Sequence, residues 1–190
     1  MGLLRLLPGI DGWLYRLIHR RLRSEALDPI MVSATRAGTK SSAWIAICGA
    51  MALLGGRRAR RAAALTMAAT LTAQGIVNLL LKPAIRRQRP YRRSKLRPAL
   101  LVGREKQHSW PSAHAASSAA AMTTLIASYP EQASGLLALG LTISYSRVYV
   151  GVHYPFDVIS GAGIGLGVGA VYAAAAGLFK ELLDGRTPGI

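Results

Sequence analysis

Residues 158–179 of this 190-residue chain read VISGAGIGLGVGAVYAAAAGLF, 22 consecutive residues without one charged side chain. A helix needs roughly 20 apolar residues to cross the hydrocarbon core of a bilayer, so this segment is long enough to span it. Glycines alternate in it from residue 161 to residue 169, and in an apolar run they favour a small-residue surface for close helix packing over a nucleotide-binding loop. The segment therefore predicts a membrane helix.

Other runs of low charge organise the rest of the chain. Residues 62–81 carry no charge over 20 residues, and residues 41–56 and 132–146 carry none over shorter lengths. Residues 109–130 contain no Lys, Arg, Asp or Glu and one histidine, His114. No segment shows strand alternation. We therefore expect an all-α fold, an integral-membrane helical bundle. Its transmembrane helices are expected to number about five, at about residues 41–57, 61–81, 112–129, 132–150 and 156–180.

The N-terminal part has a different pattern. Residues 11–23, DGWLYRLIHRRLR, place four apolar side chains on one side of a helix with arginines around them. This pattern is typical of an amphipathic helix that lies on anionic lipid. We expect residues 1–40 to form an N-terminal interfacial amphipathic segment, residues 41–180 the transmembrane domain, and residues 181–190 a C-terminal tail.

Composition separates the membrane class from its alternatives. The chain has 24 Lys and Arg against 8 Asp and Glu, a net charge of +16, yet 51% of its residues are hydrophobic. A soluble nucleic-acid binder would be less apolar, whereas a membrane protein with basic loops fits both facts. Residues 82–106 hold ten of the basic residues but no aromatic except Tyr91, so no nucleic-acid partner is expected. The only cysteine, Cys48, excludes an internal disulfide and a cysteine metal site.

Three stretches at the ends of apolar runs carry reactive or charged residues at fixed spacings. Residues 82–90, KPAIRRQRP, have six residues between Lys82 and Arg89, and residues 111–114 read PSAH. Residues 146–157, SRVYVGVHYPFD, have Arg147, five residues, His153, three residues and Asp157. Burying such groups costs free energy unless they are paired. With antiparallel helices, all three stretches fall on the same side of the membrane.

Together these stretches resemble the three-part signature of the type 2 phosphatidic acid phosphatase (PAP2) superfamily. That signature is Lys-x6-Arg-Pro, Pro-Ser-Gly-His and Ser-Arg-x5-His-x3-Asp, and the resemblance covers roughly residues 41–180. Ala113 stands where the family usually has glycine, and it keeps the backbone N–H that the family uses on phosphate. The resemblance implies a membrane enzyme that removes phosphate from a phosphorylated lipid.

The residue types agree with that implication. Cationic donors suit a phosphate, and a helix N-terminus adds amides where the helix dipole favours an anion. The phosphate-binding residues implied by the resemblance are Lys82, Arg89, Ser112, Ala113 and Arg147.

The reacting groups are then assigned among the histidines. His153 is expected to be the nucleophile, and Asp157 accepts its second ring proton. His114 is expected to protonate the leaving lipid oxygen and then to activate water. The sequence has no carboxylate cluster for a metal pair, so we expect metal-independent chemistry and no cofactor.

Several alternatives remain open. Taken singly, helix-end histidines and membrane-flanking arginines are more often structural, and Asp157 could cap a helix. A phosphotransferase would pass the phosphoryl group to an acceptor other than water, and a non-enzymatic basic membrane anchor would explain the charge alone. The family's vanadate-dependent haloperoxidases are soluble, and the predicted spans argue against that branch. Candidate substrates are phosphatidylglycerol phosphate, phosphatidic acid, polyprenyl pyrophosphate and a polyprenyl-phosphoryl sugar phosphate.

The remaining basic residues are expected to contact lipid headgroups or to attract an anionic substrate. His19 and His108 are expected to be incidental. Abundant Arg and Ala point to a bacterial cell membrane, and the basic loop at residues 82–106 tips the positive-inside bias towards a cytoplasmic active site. The basic residues expected to contact lipid headgroups or to attract an anionic substrate are Arg86, Arg87, Arg92, Arg93, Lys95, Arg97, Arg104 and Lys106.

Overall fold

The computed structural model describes residues 2–92 and 100–183, with side chains over residues 9–92 and 100–177. All regular structure in these ranges is helical, and no strand occurs there, which confirms the predicted all-α class. The main helices are α1 (Gly2–Arg16), α2 (Asp28–Gly38), α3 (Ser42–Leu54), α4 (Arg57–Gly75), α5 (Lys82–Ile85), α6 (Ala113–Ser128), α7 (Ala133–Tyr149) and α8 (Pro155–Leu183).

Helices lie at all five positions where the sequence predicts membrane spans. By length and composition, three helical stretches in the described part are suited to cross a bilayer: Asp28–Leu54, Arg57–Arg92 and Pro155–Gly177. Helices α6 and α7 have only 16 and 17 residues. At 1.5 Å per residue they reach about 24–26 Å, short of a hydrocarbon core of about 30 Å. The number of transmembrane helices therefore stays a prediction.

Helix α2 was not predicted from the sequence. It is joined to α3 through Thr39–Ser41, where Lys40 and Ser41 have φ angles of 50° and 59°. A left-handed backbone at two non-glycine residues breaks the helical path, so one long stretch becomes two helices. At the end of α2, a Cβ on Gly38 would lie 2.5 Å from Ile143 of α7 and 2.7 Å from His114 of α6. Glycine thus lets α2 approach the start of α6.

Helix α1 continues through a π-helical turn, Leu17–Arg21, and packs one face on the bundle. Tyr15 and His19 are buried on that face with stacked rings, and His19 Nδ1 lies 2.6 Å from the Tyr149 carbonyl oxygen. His19 thus ties α1 to α7, and the expectation that it is incidental to the chemistry stays a prediction. Trp13 points outwards and is 56% exposed. The interfacial position of α1 stays a prediction.

Helix α6 forms the centre of the bundle. Every residue from Ala115 to Met122 is buried, and α6 packs against α4, α7 and α8. These residues are mostly alanine and serine, so neighbouring backbones can come close on every side. The largest side chain on this core, Trp44 of α3, is fully buried and donates a 3.0 Å hydrogen bond to Ser118 Oγ.

The glycines of α8 form the surface that packs on α6, as the sequence predicts. Gly161, Gly165 and Gly169 recur every four residues and are buried, whereas Gly163 and Gly167 between them are exposed. A Cβ on Gly161 would lie 2.4 Å from the Ser112 carbonyl oxygen, and one on Gly165 would lie 2.1 Å from that of Ala116. Backbone–backbone contact of this closeness requires glycine.

The bundle has two distinct ends. At one end, α4 and α5 finish, α6 begins, α7 finishes and α8 begins, so all three sequence motifs meet there. At the other end, Arg61 donates to the Ala176 carbonyl oxygen at 2.8 Å, and Arg58 donates to that of Ser128.

We expect Gly165→Ala to destabilise the protein and Gly163→Ala to leave it equally or more stable. Alanine in a helix is favoured over glycine by about 0.5–1 kcal/mol. At position 165 the added methyl group meets the α6 backbone, and overpacking of this kind costs about 1–3 kcal/mol. The check is the melting temperature of both variants in one detergent. Equal stability of the two variants would contradict the close contact.

Candidate active site

The first motif follows the end of α4, where the helix widens through Ile76–Leu81 and continues as α5. Lys82 begins α5, is 4% exposed and donates to Asn78 Oδ1 at 2.9 Å and Gln107 Oε1 at 3.0 Å. Arg86 then adopts a left-handed conformation, with φ of 52°, and ends the helix. This turn lets residues 87–89 run back across the end of the bundle.

Arg89 is buried at the centre of the site. Its Nε donates to the Gln107 carbonyl oxygen at 2.8 Å, and its two terminal nitrogens donate to the carbonyl oxygens of Val152, at 2.9 Å, and His108, at 3.2 Å. These bonds fix the guanidinium group, and they supply the acceptors that its charge needs because the side chain is only 1% exposed. They also show that His108 contributes its backbone to this end of the bundle.

His153 and Asp157 lie one helical turn apart where α7 gives way to α8. An Arg89 terminal nitrogen lies 3.1 Å from His153 Nε2, and because arginine only donates, Nε2 must accept and carries no proton. The proton is then on Nδ1, which faces Asp157 Oδ2 at 3.4 Å. Burial, together with the charges of Arg89 and Arg147, lowers the pKa of His153 well below its usual value. The ring is thus neutral, with its Nε2 lone pair towards the arginine.

Asp157 is fully buried and accepts from several donors besides His153. Its Oδ2 accepts from the Tyr154 backbone N–H at 2.9 Å and from Ser109 Oγ, and its Oδ1 accepts from Arg87 at 2.7 Å. Asp157 is the third residue of α8, and its bond to the Tyr154 N–H satisfies a donor just before the helix. The capping role considered from the sequence is thus present together with the contact to His153. Such dense donation holds the carboxylate in one position.

Arg147 reaches the site from the last turn of α7. It is 2% exposed and donates to Thr35 Oγ1 and to Glu105, while its Nε has no hydrogen-bond partner among the described residues. Glu105 also pairs with Arg89, with 2.5 Å between Oε2 and a terminal nitrogen. One carboxylate therefore joins the two buried arginines.

The second motif begins α6. Ser112 is fully buried and caps the helix, accepting from the Ala115 N–H at 3.4 Å, and its own N–H donates to the Asp157 carbonyl oxygen at 2.8 Å. Ala113 and His114 face a cavity of about 300 Å³ that Lys82 and Glu105 also line. His114 Nε2 is buried without a hydrogen-bond partner in the part of the chain that the structure describes.

The structure thus brings the eight residues predicted from the sequence to one end of the bundle. Arg89, His153 and Asp157 are linked in a chain of contacts, Arg147 joins it through Glu105, and Lys82 joins it through Gln107. Ala113 and His114 line the adjoining cavity. Over the described residues, no group of three His, Cys, Asp or Glu is placed to hold a metal ion.

One basic residue was misassigned from the sequence. Arg87 was expected to contact lipid headgroups, but it forms ion pairs with Asp11 and Asp157 and lies 4.3 Å from the centre of the Tyr154 ring. Asp11 also accepts from the Phe156 N–H at 3.0 Å, so α1 is connected to the start of α8. The available signal was an acid in an otherwise apolar and basic N-terminal stretch.

The other basic residues fall into two groups. Arg86, Arg92, Arg104 and Lys106 are exposed, so a contact with headgroups stays a prediction for them. Arg93, Lys95 and Arg97 lie outside the described residues.

Comparison with known proteins agrees with the motifs. A family model described as the PAP2 superfamily matches residues 63–179. The chain is 37% identical over 138 residues to decaprenylphosphoryl-5-phosphoribose phosphatase of Mycobacterium tuberculosis (strain ATCC 25618 / H37Rv), with 70% of each chain covered. It is 33% identical over 125 residues to lipid A 1-phosphatase of Rhizobium etli, covering 61% of this chain and 53% of that protein.

A solved structure shares the fold. The crystal structure of a transmembrane PAP2 type phosphatidylglycerolphosphate phosphatase from Bacillus subtilis matches with a TM-score of 0.71 at 22% identity, covering 90% of this chain and 86% of that one. At this identity the match shows the fold alone. The family model, however, covers more than half of the 190 residues, and the relatives that match are phosphatases. The chain therefore belongs to the PAP2 superfamily.

Proposed function

We propose that this protein is an integral-membrane lipid phosphatase that removes a terminal phosphate through a phosphohistidine intermediate. The observation that carries the proposal is the placement of a neutral His153, with an unprotonated Nε2, against Arg89 and beside Asp157. Two further buried cations, Lys82 and Arg147, lie around the same position. A nucleophile without a proton beside fixed positive charge is what attack on a phosphate requires.

The first half of the reaction transfers the phosphoryl group to the protein. The phosphate oxygens bind Arg89, Arg147 and Lys82, and the hydrogen bond from Arg89 to His153 Nε2 is replaced by one from Arg89 to a phosphate oxygen. The freed Nε2 lone pair of His153 then attacks phosphorus. The bond from phosphorus to the lipid oxygen breaks, and its electron pair leaves on that oxygen. His114, charged because the bound phosphate dianion favours its protonated form, donates the proton that completes the lipid alcohol or lipid phosphate product.

The second half releases inorganic phosphate. His114, now neutral, accepts a proton from a water molecule, and the oxygen of that water attacks phosphorus. The bond between phosphorus and Nε2 breaks, and its electron pair returns to His153. Throughout, Asp157 accepts from Nδ1 and stabilises the positive charge that the ring carries while it is phosphorylated.

The relatives support a lipid with a terminal phosphate and favour one candidate substrate. The M. tuberculosis relative is named for decaprenylphosphoryl-5-phosphoribose, a polyprenyl-phosphoryl sugar phosphate, and its identity to this chain is 37%. We therefore rank this class first among the four candidate substrates. The test is release of inorganic phosphate by the purified protein from a panel of the four lipids. A new phosphate ester in place of free phosphate would instead indicate phosphotransfer.

We expect His153→Ala to abolish phosphate release, because no other group can form the covalent intermediate. His114→Ala is expected to slow turnover by about 10²-fold or more, the usual loss for a general acid. Asp157→Asn is expected to fall between wild type and His153→Ala. Turnover is compared in variants whose melting temperatures match wild type, since Asp157 also caps α8. Wild-type turnover in a folded His153→Ala protein would contradict the proposal.

We expect turnover to continue in excess EDTA and to be inhibited by orthovanadate. Three buried cations already meet the charge of the phosphate, and vanadate can adopt the five-coordinate geometry of the transition state. The measurement is phosphate release with and without each reagent, with added Mg²⁺ as the matched condition. Activity lost in chelator and restored by Mg²⁺ would show that the mechanism lacks a component.

We further propose that the active site faces the cytoplasm, because the described parts of the basic segment, residues 82–92 and 100–106, lie at that end of the bundle. In a Cys48→Ala background, single cysteines replace Arg104 at the active-site end or Arg57 at the other end, both exposed. With an impermeant thiol reagent on intact cells, we expect labelling at 57 and protection at 104, and labelling of both after permeabilisation. The reverse pattern on intact cells would place the site outside.

A further inference from the structure

Glu105 occupies the position where the proposed function puts the phosphate. Its two carboxylate oxygens pair separately with Arg89 and Arg147, one oxygen to each guanidinium group. The arginines are 1% and 2% exposed, whereas Glu105 is 32% exposed. Two fixed, buried cations are thus bridged by a carboxylate that reaches them from the protein surface, in the way that two oxygens of a phosphate would bridge them.

The carboxylate is charged under all working conditions. Burial acts to raise the pKa of Glu105, but the charges of Arg147 and Arg89 lower it to about 2. Protonation therefore does not release the arginines at physiological pH. An incoming anion has to displace a carboxylate that carries one full negative charge.

The side chain of Glu105 can leave while its loop stays in place. The Glu105 carbonyl oxygen accepts from Tyr91 Oη at 2.7 Å, and the next carbonyls that face Arg89, those of Gln107 and His108, accept from its guanidinium group. The backbone at Glu105 and on its C-terminal side is thus held by bonds that do not involve the carboxylate. Rotation of one partly exposed side chain is enough to open the position between the arginines.

We propose that Glu105 is an internal ligand of the phosphate-binding arginines that raises the affinity an anion needs to occupy the site, so that monoanionic phosphodiesters stay out at concentrations at which dianionic phosphomonoesters still bind. The inference rests on the proposed function in taking Arg89 and Arg147 as the phosphate site. A phosphodiester headgroup carries one negative charge, the same as the carboxylate that it would displace, so the exchange gains little electrostatic free energy. A terminal phosphate brings a second negative charge, which Lys82 and His114 meet across the adjoining cavity.

Such a ligand protects the site from the membrane around it. Phosphodiester headgroups are abundant at a bilayer surface, and an empty pair of arginines would bind them. With Glu105 in place, the affinity of any anion is reduced by the fraction of molecules in which the carboxylate has left. Only an anion that interacts more strongly with this cluster than the carboxylate does overcomes that reduction.

The test compares Glu105→Gln with wild type and with Glu131→Gln. Glu131 is exposed in the turn before α7, so its variant makes the same charge change without contact to the arginines. Orthovanadate binding is measured by calorimetry on the purified full-length protein in detergent. We expect binding about tenfold tighter or more in Glu105→Gln and no change in Glu131→Gln. A roughly tenfold effect corresponds to a Glu105 carboxylate that contacts the arginines in about nine wild-type molecules of ten. Unchanged or weaker binding in Glu105→Gln would overturn the inference.

The exclusion of phosphodiesters is measured by direct binding. Phosphatidylglycerol, a monoanionic phosphodiester, is titrated in mixed micelles into each protein without vanadate. We expect binding about tenfold tighter or more to Glu105→Gln than to wild type or Glu131→Gln, and equal binding to all three would overturn the exclusion. If Glu105→Gln shows no cooperative melt, Glu105→Asp decides, because its charge is kept and its reach is shorter. Tighter vanadate binding than wild type supports the inference, and equal or weaker binding overturns it.

These measurements need no turnover, so they separate the inference from the proposed function. If the lipid panel yields no phosphate while vanadate still binds more tightly to Glu105→Gln, the internal ligand stands and the enzymatic proposal fails. If phosphate is released and vanadate binding does not tighten, the enzymatic proposal stands and the internal ligand fails.

Discussion

The backbone contact between the start of α6 and the start of α8 is the constraint on which the site depends. Gly161 lies against the Ser112 backbone, and the Ser112 N–H donates to the Asp157 carbonyl oxygen at 2.8 Å. This contact brings the second motif beside the third, although Ser112 and Asp157 are 45 positions apart in the chain. The same closeness continues up the bundle at Gly165 and Gly169, so the register of the two helices is set along their length.

Charges at this end of the bundle alternate along a chain of contacts. Asp11 pairs with Arg87, and Arg87 pairs with Asp157, which faces His153; from there the contacts run to Arg89, then Glu105, then Arg147. Each buried charge in the series has a neighbour of opposite sign, with the neutral imidazole in the middle. Buried ions are tolerated only when they are paired in this way. The pairing therefore explains how three arginines can be gathered in a largely apolar protein.

The sequence predicted the parts of this arrangement that depend on local spacing. Charge-free runs located the helices, and the positions of the three motifs at the ends of these runs predicted that the motifs would meet on one side of the bundle. The contacts Glu105–Arg147, Arg87–Asp157 and Asp11–Arg87 were not predicted, because they join positions 42, 70 and 76 residues apart, and no periodicity links such positions. Helix α2 was not predicted, because its 11 residues are too few and too polar for a membrane span. Its packing on α7 is seen only in the structure.

The distribution of side-chain size in this bundle is the reverse of that in a water-soluble protein. Alanine, serine and glycine fill the centre, whereas Leu53, Leu54, Leu79 and Val171 are 68–88% exposed on the outside. In hydrocarbon, a leucine gains nothing by turning inwards, so bulk is left to the lipid and the interior is kept for backbones. The acyl chains around the protein thus complete its packing. In a membrane protein of this kind, the positions of the small residues, and not those of the large apolar ones, indicate which helices are in contact.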